Sequence, residues 1–285
     1  MRVRKPYVAG YFYSKNKEEL GEEIKKAFLH RLGPGEIPEI ANSFSGSIIG
    51  IVSPHAGYIY SAHVAANGYY ALARGGRPEL VFILGPNHQG TGDPIALSKH
   101  EVWETPLGEI RVDLEISNEL IKRSGVVSFD DTAHLYEHSI EVQIPFLQFL
   151  YGDEFRLVPI SMLLQEPESS RILGETIASI IREMGLKAYI IASSDFTHYE
   201  EAKKAESKDR PAIDKILSMD LRGFYNEMFE KGATICGPGP IMALMSAAKS
   251  LGFFKPQLLR YANSGDITGD YSSVVCYASI AFYRA

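Results

Sequence analysis

Three apolar runs in this chain end in tight turns that present a histidine or an acid. Ile48–Val52 runs into Ser53-Pro54-His55-Ala56-Gly57, Val81–Leu84 into Gly85-Pro86-Asn87-His88, and Tyr189–Ala192 into Ser193-Ser194-Asp195-Phe196-Thr197-His198. Two imidazoles in loops of like design can share one ion at metal–nitrogen distances of about 2.0–2.1 Å. Asp195 and His198 stand three residues apart, so a helical turn there would place them on one face. A carboxylate beside an imidazole orients it and raises its basicity, which suits support of a metal ligand or general acid/base work. Cys236, in Thr234-Ile235-Cys236-Gly237-Pro238, precedes a stretch with helical spacing whose N-terminal dipole favours the thiolate, the form that binds metals.

Each of these residues also has a plainer role open to it. A loop histidine is often only a hydrogen-bonded surface group, Ser193, Ser194 or Asp195 would cap a helix starting near Thr197, and Cys236 would pack as a small buried thiol beside a glycine turn. The cluster His134-Leu135-Tyr136-Glu137-His138-Ser139-Ile140-Glu141 is dense in titratable groups, and His138 and Glu141 are its candidates for lining the same cleft, with His134 read as more exposed. His30, His63 and His100 lack supporting neighbours, and Cys276 alternates inside an apolar strand as a core residue. There is no phosphate-cradling P-loop, dinucleotide glycine fingerprint or G-x-S-x-G elbow, which argues against nucleotide chemistry.

The elements that must position these residues alternate in type. Helical spacing covers Lys17–Leu32, stopped by Gly33-Pro34-Gly35, then Ser61–Arg74, Asp113–Ser124, His138–Leu150, Ser169–Met184, Glu200–Met219, Leu221–Lys231 and Ile241–Leu251. Strands are expected at Gly46–Val52, Glu79–Leu84, Ile95–Leu97, Val102, Ile110–Val112, Phe155–Ile160, Lys187–Ala192 and Ser273–Tyr283. The charged stretch Lys203–Arg210 could alternatively be a mobile surface arm. Strands alternating with helices imply an α/β fold, a central, mostly parallel or mixed sheet covered on both faces, and the lack of a composition break favours one domain over residues 1–285. In such sheets ligands gather beyond the carboxyl ends of the strands, where the three loops would converge.

The chain has 285 residues, 45% of them hydrophobic and 22% charged, enough to bury a large core. A formal net charge of −6 gives nucleic acid and anionic membranes no attractive field, and no apolar stretch approaches a membrane span or a signal peptide. Two cysteines are too few for a disulfide framework, so a cytoplasmic location is expected.

Taken together, Ser53-Pro54-His55-Ala56-Gly57-Tyr58, Leu84-Gly85-Pro86-Asn87-His88, Glu137-His138-Ser139-Ile140-Glu141, Ser193-Ser194-Asp195-Phe196-Thr197-His198 and Thr234-Ile235-Cys236-Gly237 resemble the motifs of the Memo family, in order and over essentially the whole chain. That family is found in archaea, bacteria and eukaryotes, and its animal members are described as mediators of receptor-driven cell motility. It is similar in fold to the class III extradiol dioxygenases, non-haem iron enzymes that open catechol rings. The resemblance implies a single three-layer α/β/α domain with His55, His88 and Cys236 as metal ligands and with Asp195 and His198 as catalytic groups facing the cleft. It implies iron (Fe2+) first, with copper or zinc as substitutes, and a thiolate where ring-opening dioxygenases hold their metal with a carboxylate. Microbial relatives are associated with a radical-SAM protein, which suggests a pathway partner. The leading reading is a metal-binding protein with an extradiol-dioxygenase-like cleft, for which a non-haem metal-dependent oxidoreductase acting on a small molecule is the expected enzyme class. A recognition module that holds a peptide or partner in the old cleft, and a zinc-type hydrolase, are the alternatives. Oligomeric state stays open.

Overall fold

The computed structural model describes residues 2–284. Its strands are β1 (Val3–Arg4), β2 (Ile48–Ser53), β3 (Leu80–Pro86), β4 (Ile95–Leu97), β5 (Val102–Thr105), β6 (Gly108–Arg111), β7 (Ser128–Phe129), β8 (Arg156–Met162), β9 (Ala188–Ser193), β10 (His198–Glu200), β11 (Lys255–Asn263) and β12 (Val274–Tyr283). Its α-helices are α1 (Lys17–Leu29), α2 (Tyr58–Gly75), α3 (Leu114–Ser124), α4 (Ile144–Tyr151), α5 (Pro167–Met184), α6 (Ala202–Leu217), α7 (Leu221–Lys231), α8 (Pro238–Leu251) and the short α9 (Gly265–Thr268).

Among the described residues the main sheet is nine-stranded and mixed. At its centre β2, β9, β3 and β8 run parallel in that spatial order, while β12 and β4 flank them antiparallel. The order follows from two crossovers on opposite faces. From β2 the chain crosses through α2 to β3, leaving one strand's width open; from β8 it returns through α5, on the other face, to lay β9 in that gap. The carboxyl ends of β2, β9 and β3 are therefore neighbours, about 4.8 Å apart from strand to strand. A crevice opens where the connections leave in opposite directions.

Period-2 alternation sorts the side chains of the central strands. Leu80, Phe82 and Leu84 enter the core shared with α3, α5, α6, α7 and α8, whereas Val81 and Ile83 enter the one shared with α1, α2 and α4. Being buried on both faces, these strands read as unbroken apolar runs. No helix of the described residues is long and apolar enough to cross a membrane.

Several boundaries differ from the sequence expectation for identifiable reasons. In place of one helix over His138–Leu150 there is a 3-10 turn at Glu141–Gln143 and then α4, with Pro145 in the first turn. Proline has no N–H to give an earlier turn and its ring crowds the carbonyl four residues back. No helix starts near Thr197; the segment extends into β10, and α6 begins only after Glu201, whose side chain caps the Lys203 and Lys204 N–H groups. Lys203–Arg210 lies within α6. β11 went unread, because Pro256, Lys255 and Arg260 break the apolar pattern of a half-exposed strand.

The α5–α8 contact sets the position of the loop that carries Cys236. A Cβ on Gly174 of α5 would lie 2.2 Å from the Ala243 carbonyl oxygen of α8, a backbone atom that cannot turn aside. Helix propensity alone favours alanine over glycine by about 1 kcal/mol, but forcing the helices apart costs about 1–3 kcal/mol. Gly174→Ala is therefore expected to lower the urea midpoint, and a raised midpoint would show that the two helices do not meet this closely.

Candidate functional site

The parallel register places Ser53 beside Ser193 and Leu84 beside Ala192, so the loops that follow them leave the sheet together. His55 comes two residues after β2, its backbone N–H held by Asp195 Oδ1 at 2.8 Å. The His88 loop is shaped by Asn87, whose Oδ1 accepts the Gln89 and Gly90 N–H groups at 3.0 Å and whose Nδ2 donates to the Thr91 carbonyl at 2.7 Å. Cys236 arrives from the amino end of α8. A Cβ on Gly237 would sit 2.4 Å from the Ser193 carbonyl oxygen, so only glycine lets the backbone approach β9 this closely. Gln165 then clamps the loop from α5's side, donating to the Cys236 carbonyl at 3.0 Å and accepting the Gly239 N–H at 3.0 Å.

His55, His88, His138, Asp195, His198 and Cys236 all line one cleft of about 640 Å³, walled by Phe12 and Tyr199. The ligand atoms of His55, His88 and Cys236 lie within 4.8 Å of one another, and those of His88, Glu137 and His138 form a second such group. Donors around one tetrahedral ion sit about 3.3–3.6 Å apart. The 3.2 Å between His55 Nε2 and Cys236 Sγ is close to that spacing.

Hydrogen-bond direction fixes the protons of both imidazoles. Ser193 Oγ donates its single proton to the Ser139 carbonyl at 2.6 Å and accepts from Gln143 Nε2 at 2.8 Å. Gln143 Nε2 is in turn fixed as a donor by the Pro54 carbonyl at 3.0 Å. Toward His55 Nδ1, 2.9 Å away, Ser193 can then only accept, so the ring carries its proton on Nδ1 and turns the lone pair of Nε2 toward the sulfur. His88 Nδ1 faces Glu137 Oε1 at 2.9 Å with the same result. The Glu137 carboxylate also accepts the N–H groups of His88, His138 and Ser139, at 2.6, 2.9 and 2.8 Å, which fits an orienting carboxylate better than a ligand. His198 donates from Nδ1 to the Thr234 carbonyl at 3.0 Å, leaving Nε2 as its free nitrogen.

The electrostatics separate donors that are ready from one that is not. Burial, helped by the charges of His88, His138 and His198, holds His55 well below the usual imidazole range, so it is neutral at pH 7. Burial, partly opposed by Glu137, takes His138 down to about 4. For Glu137 burial pushes upward, but the His88 hydrogen bond, the charges of His88 and His138 and the Ser139 N–H together pull it down to about 2. Asp195 is raised to about 6 by burial, against the pull of the His55 N–H and of His198 and His88. Burial, and then the Asp195 charge, push the Cys236 thiol well above its ordinary range, despite the Asp195 N–H that reaches Sγ at 3.1 Å. The start of α8 does not deliver a free thiolate. A thiol so held would ionise only against a bound cation.

Not every candidate reaches the cleft. Glu141, expected beside His138, turns away from it into a buried pair with Arg4 and accepts the Tyr7 and Val8 N–H groups at 2.8 and 2.9 Å and the Tyr13 hydroxyl at 2.7 Å. His134, read as more exposed, is fully buried, with Nε2 on the Ala96 carbonyl at 3.1 Å and Trp103 edge-on. His30 and His63 stack on each other at 4.2 Å. Asp195 and His198 share the cleft without sharing a helical turn. Sequence reasoning missed the roles of Glu137, Ser193, Gln143 and Phe12; only Glu137 carried a signal, as a carboxylate in a histidine-rich run.

A family model described as Memo-like protein matches residues 4–281. The chain is similar to a MEMO1 family protein of Methanopyrus kandleri, with 45% identity over 99% of both chains. It is also similar to one from Pyrobaculum aerophilum, at 47% over 100% of both, and one from Sulfurisphaera tokodaii, at 47% over 98% of this chain and 99% of that one. Among solved structures, an uncharacterized protein of Escherichia coli K12 shares the fold, with a TM-score of 0.50 at 12% identity over 72% of this chain and 86% of the other.

The hydrogen-bond directions are directly measurable. Nitrogen-15 NMR at pH 7 is expected to find both His55 and His88 protonated on Nδ1, and Ser193→Ala to release His55 alone from that tautomer. An Nε2–H His55 in the unsubstituted protein would contradict the assigned network.

Proposed function

The chain belongs to the Memo family, and from that membership and the cleft geometry we propose that it binds a redox-active metal, Fe2+ first, through His55, His88 and Cys236. The observation that carries the proposal is the convergence of two imidazoles, each with its proton locked on the far nitrogen, on one sulfur. A supporting feature is the charge behind His88. Glu137 is ionised and 1% exposed, while Arg4, which touches its backbone carbonyl, is already paired with Glu141. A buried anion of this kind is best balanced by a cation on the imidazole in front of it.

Iron bound there would supply affinity for O2 and one-electron chemistry, as in the class III extradiol dioxygenases whose fold the family resembles. The chain's own residues would do the remaining work. His198, locked by the Thr234 carbonyl, presents Nε2 to the cleft as the acid/base group, and Asp195 fixes the His55 backbone and tunes the floor of the cleft. With a thiolate in place of a carboxylate, the site donates more charge and is itself oxidisable, so we assign a metal-dependent oxidoreductase and leave catechol opening aside. Both cysteines are free, which supports a reducing, cytoplasmic setting.

A second reading, recognition of a peptide in the same cleft, draws on its exposed aromatic wall, where Tyr199 is 77% accessible. Metal content separates the two. Anaerobically purified protein is expected to hold near-stoichiometric iron, and His55→Ala and Cys236→Ala are each expected to lose at least about tenfold in occupancy. Undiminished metal in both variants would remove the proposal, and tightly held zinc with esterase activity would replace it with a hydrolase.

A further inference from the structure

We infer that the metal centre is completed from the amino-terminal segment: Arg4 is a positioning residue for His88, acting through Glu137. The inference rests on the metal-binding reading above. Arg4, at the end of β1, is 2% exposed. Its guanidinium donates from Nε to the His134 carbonyl at 3.0 Å and from Nη2 to the Glu137 carbonyl at 2.7 Å, while Nη1 pairs with Glu141. It also lies over the ring of Trp103, 4.4 Å from the centroid.

The grip matters because of what it holds. Residues 135–140 form no helix or strand, so their backbone must be fixed from outside. One planar fork joins both ends of the segment His134–Glu137, and the Glu137 side chain then holds His88 by its backbone N–H at 2.6 Å and its Nδ1 at 2.9 Å. The hold runs both ways. Glu141 binds Tyr7, Val8 and Tyr13 of the same amino-terminal segment, which carries Phe12 onto His138 at a ring separation of 4.8 Å. A lysine keeps the charge facing Glu141 but cannot bridge two carbonyls with a rigid fork. Coupling between sites is reciprocal, so an ion that fixes His88 must also tighten the segment that fixes Glu137.

Cobalt(II) is the probe, because its ligand-field bands report the imidazoles and its charge-transfer band reports the sulfur separately. The unsubstituted protein should show the sulfur band. Arg4→Lys should bind about tenfold more weakly with shifted ligand-field bands and a retained sulfur band. Hydrogen exchange on the unsubstituted protein gives a second measurement that needs no variant: loading with Co2+ should slow the amides of residues 3–13 and leave those of β11 unchanged. The urea midpoint of Arg4→Lys shows whether the variant keeps its fold, and if it does not, the exchange measurement decides. A folded Arg4→Lys with unchanged affinity and ligand-field bands, or unchanged exchange over residues 3–13, overturns the inference alone. Absence of the sulfur band in the unsubstituted protein removes the metal reading and this inference with it.

Discussion

Each of the two imidazoles at the centre of this cleft faces, on its Nδ1 side, an acceptor with no proton to give. For His55 the acceptor is a serine hydroxyl whose own proton is committed to the Ser139 carbonyl; for His88 it is an ionised glutamate. The two arrangements differ in charge but have one consequence. Both rings present a lone pair on Nε2, and a histidine that binds a metal through Nε2 needs its other nitrogen held in this way. The supports are buried and each is fixed by further hydrogen bonds, so the ring orientations are set by the fold before any ion arrives.

The fold meets that requirement through strand order. Placing β9 between β2 and β3 brings Ser193 beside Ser53 and thus under His55, while the Ser139 carbonyl and Gln143 approach from the segment leading into α4. The third donor depends on close packing elsewhere. Gly174 lets α8 lie against the backbone of α5, Gly237 lets its leading loop touch β9, and Cys236 is left 3.2 Å from His55. The thiol so placed is held protonated by burial and by Asp195, which makes it a poor nucleophile, and a cation binding there would have to displace that proton.

Much of this could be read in the residues. Unbroken apolar runs gave the central strands because those strands are buried on both faces, and the Ser-Pro-His and Pro-Asn-His turns marked which strand ends open on the cleft. The supporting groups were less legible for a physical reason. Ser193 and Gln143 act through three-dimensional hydrogen-bond direction, and neither residue type nor spacing encodes that. Glu141 was expected beside His138 on one helix; Pro145 delays that helix, so Glu137 faces His88 while Glu141 faces Arg4, more than a hundred residues away in sequence. β11 was hidden by the charges and proline that protect an exposed edge.

The proposed donor set of two imidazoles and one cysteine sulfur would distinguish this cleft from a carboxylate-based iron site and would tie its chemistry to sulfur. X-ray absorption at the iron edge of protein loaded anaerobically with Fe2+ is the most direct test. The account predicts one sulfur scatterer at about 2.3 Å together with imidazole nitrogens near 2.1 Å. A shell made only of oxygen and nitrogen would contradict it.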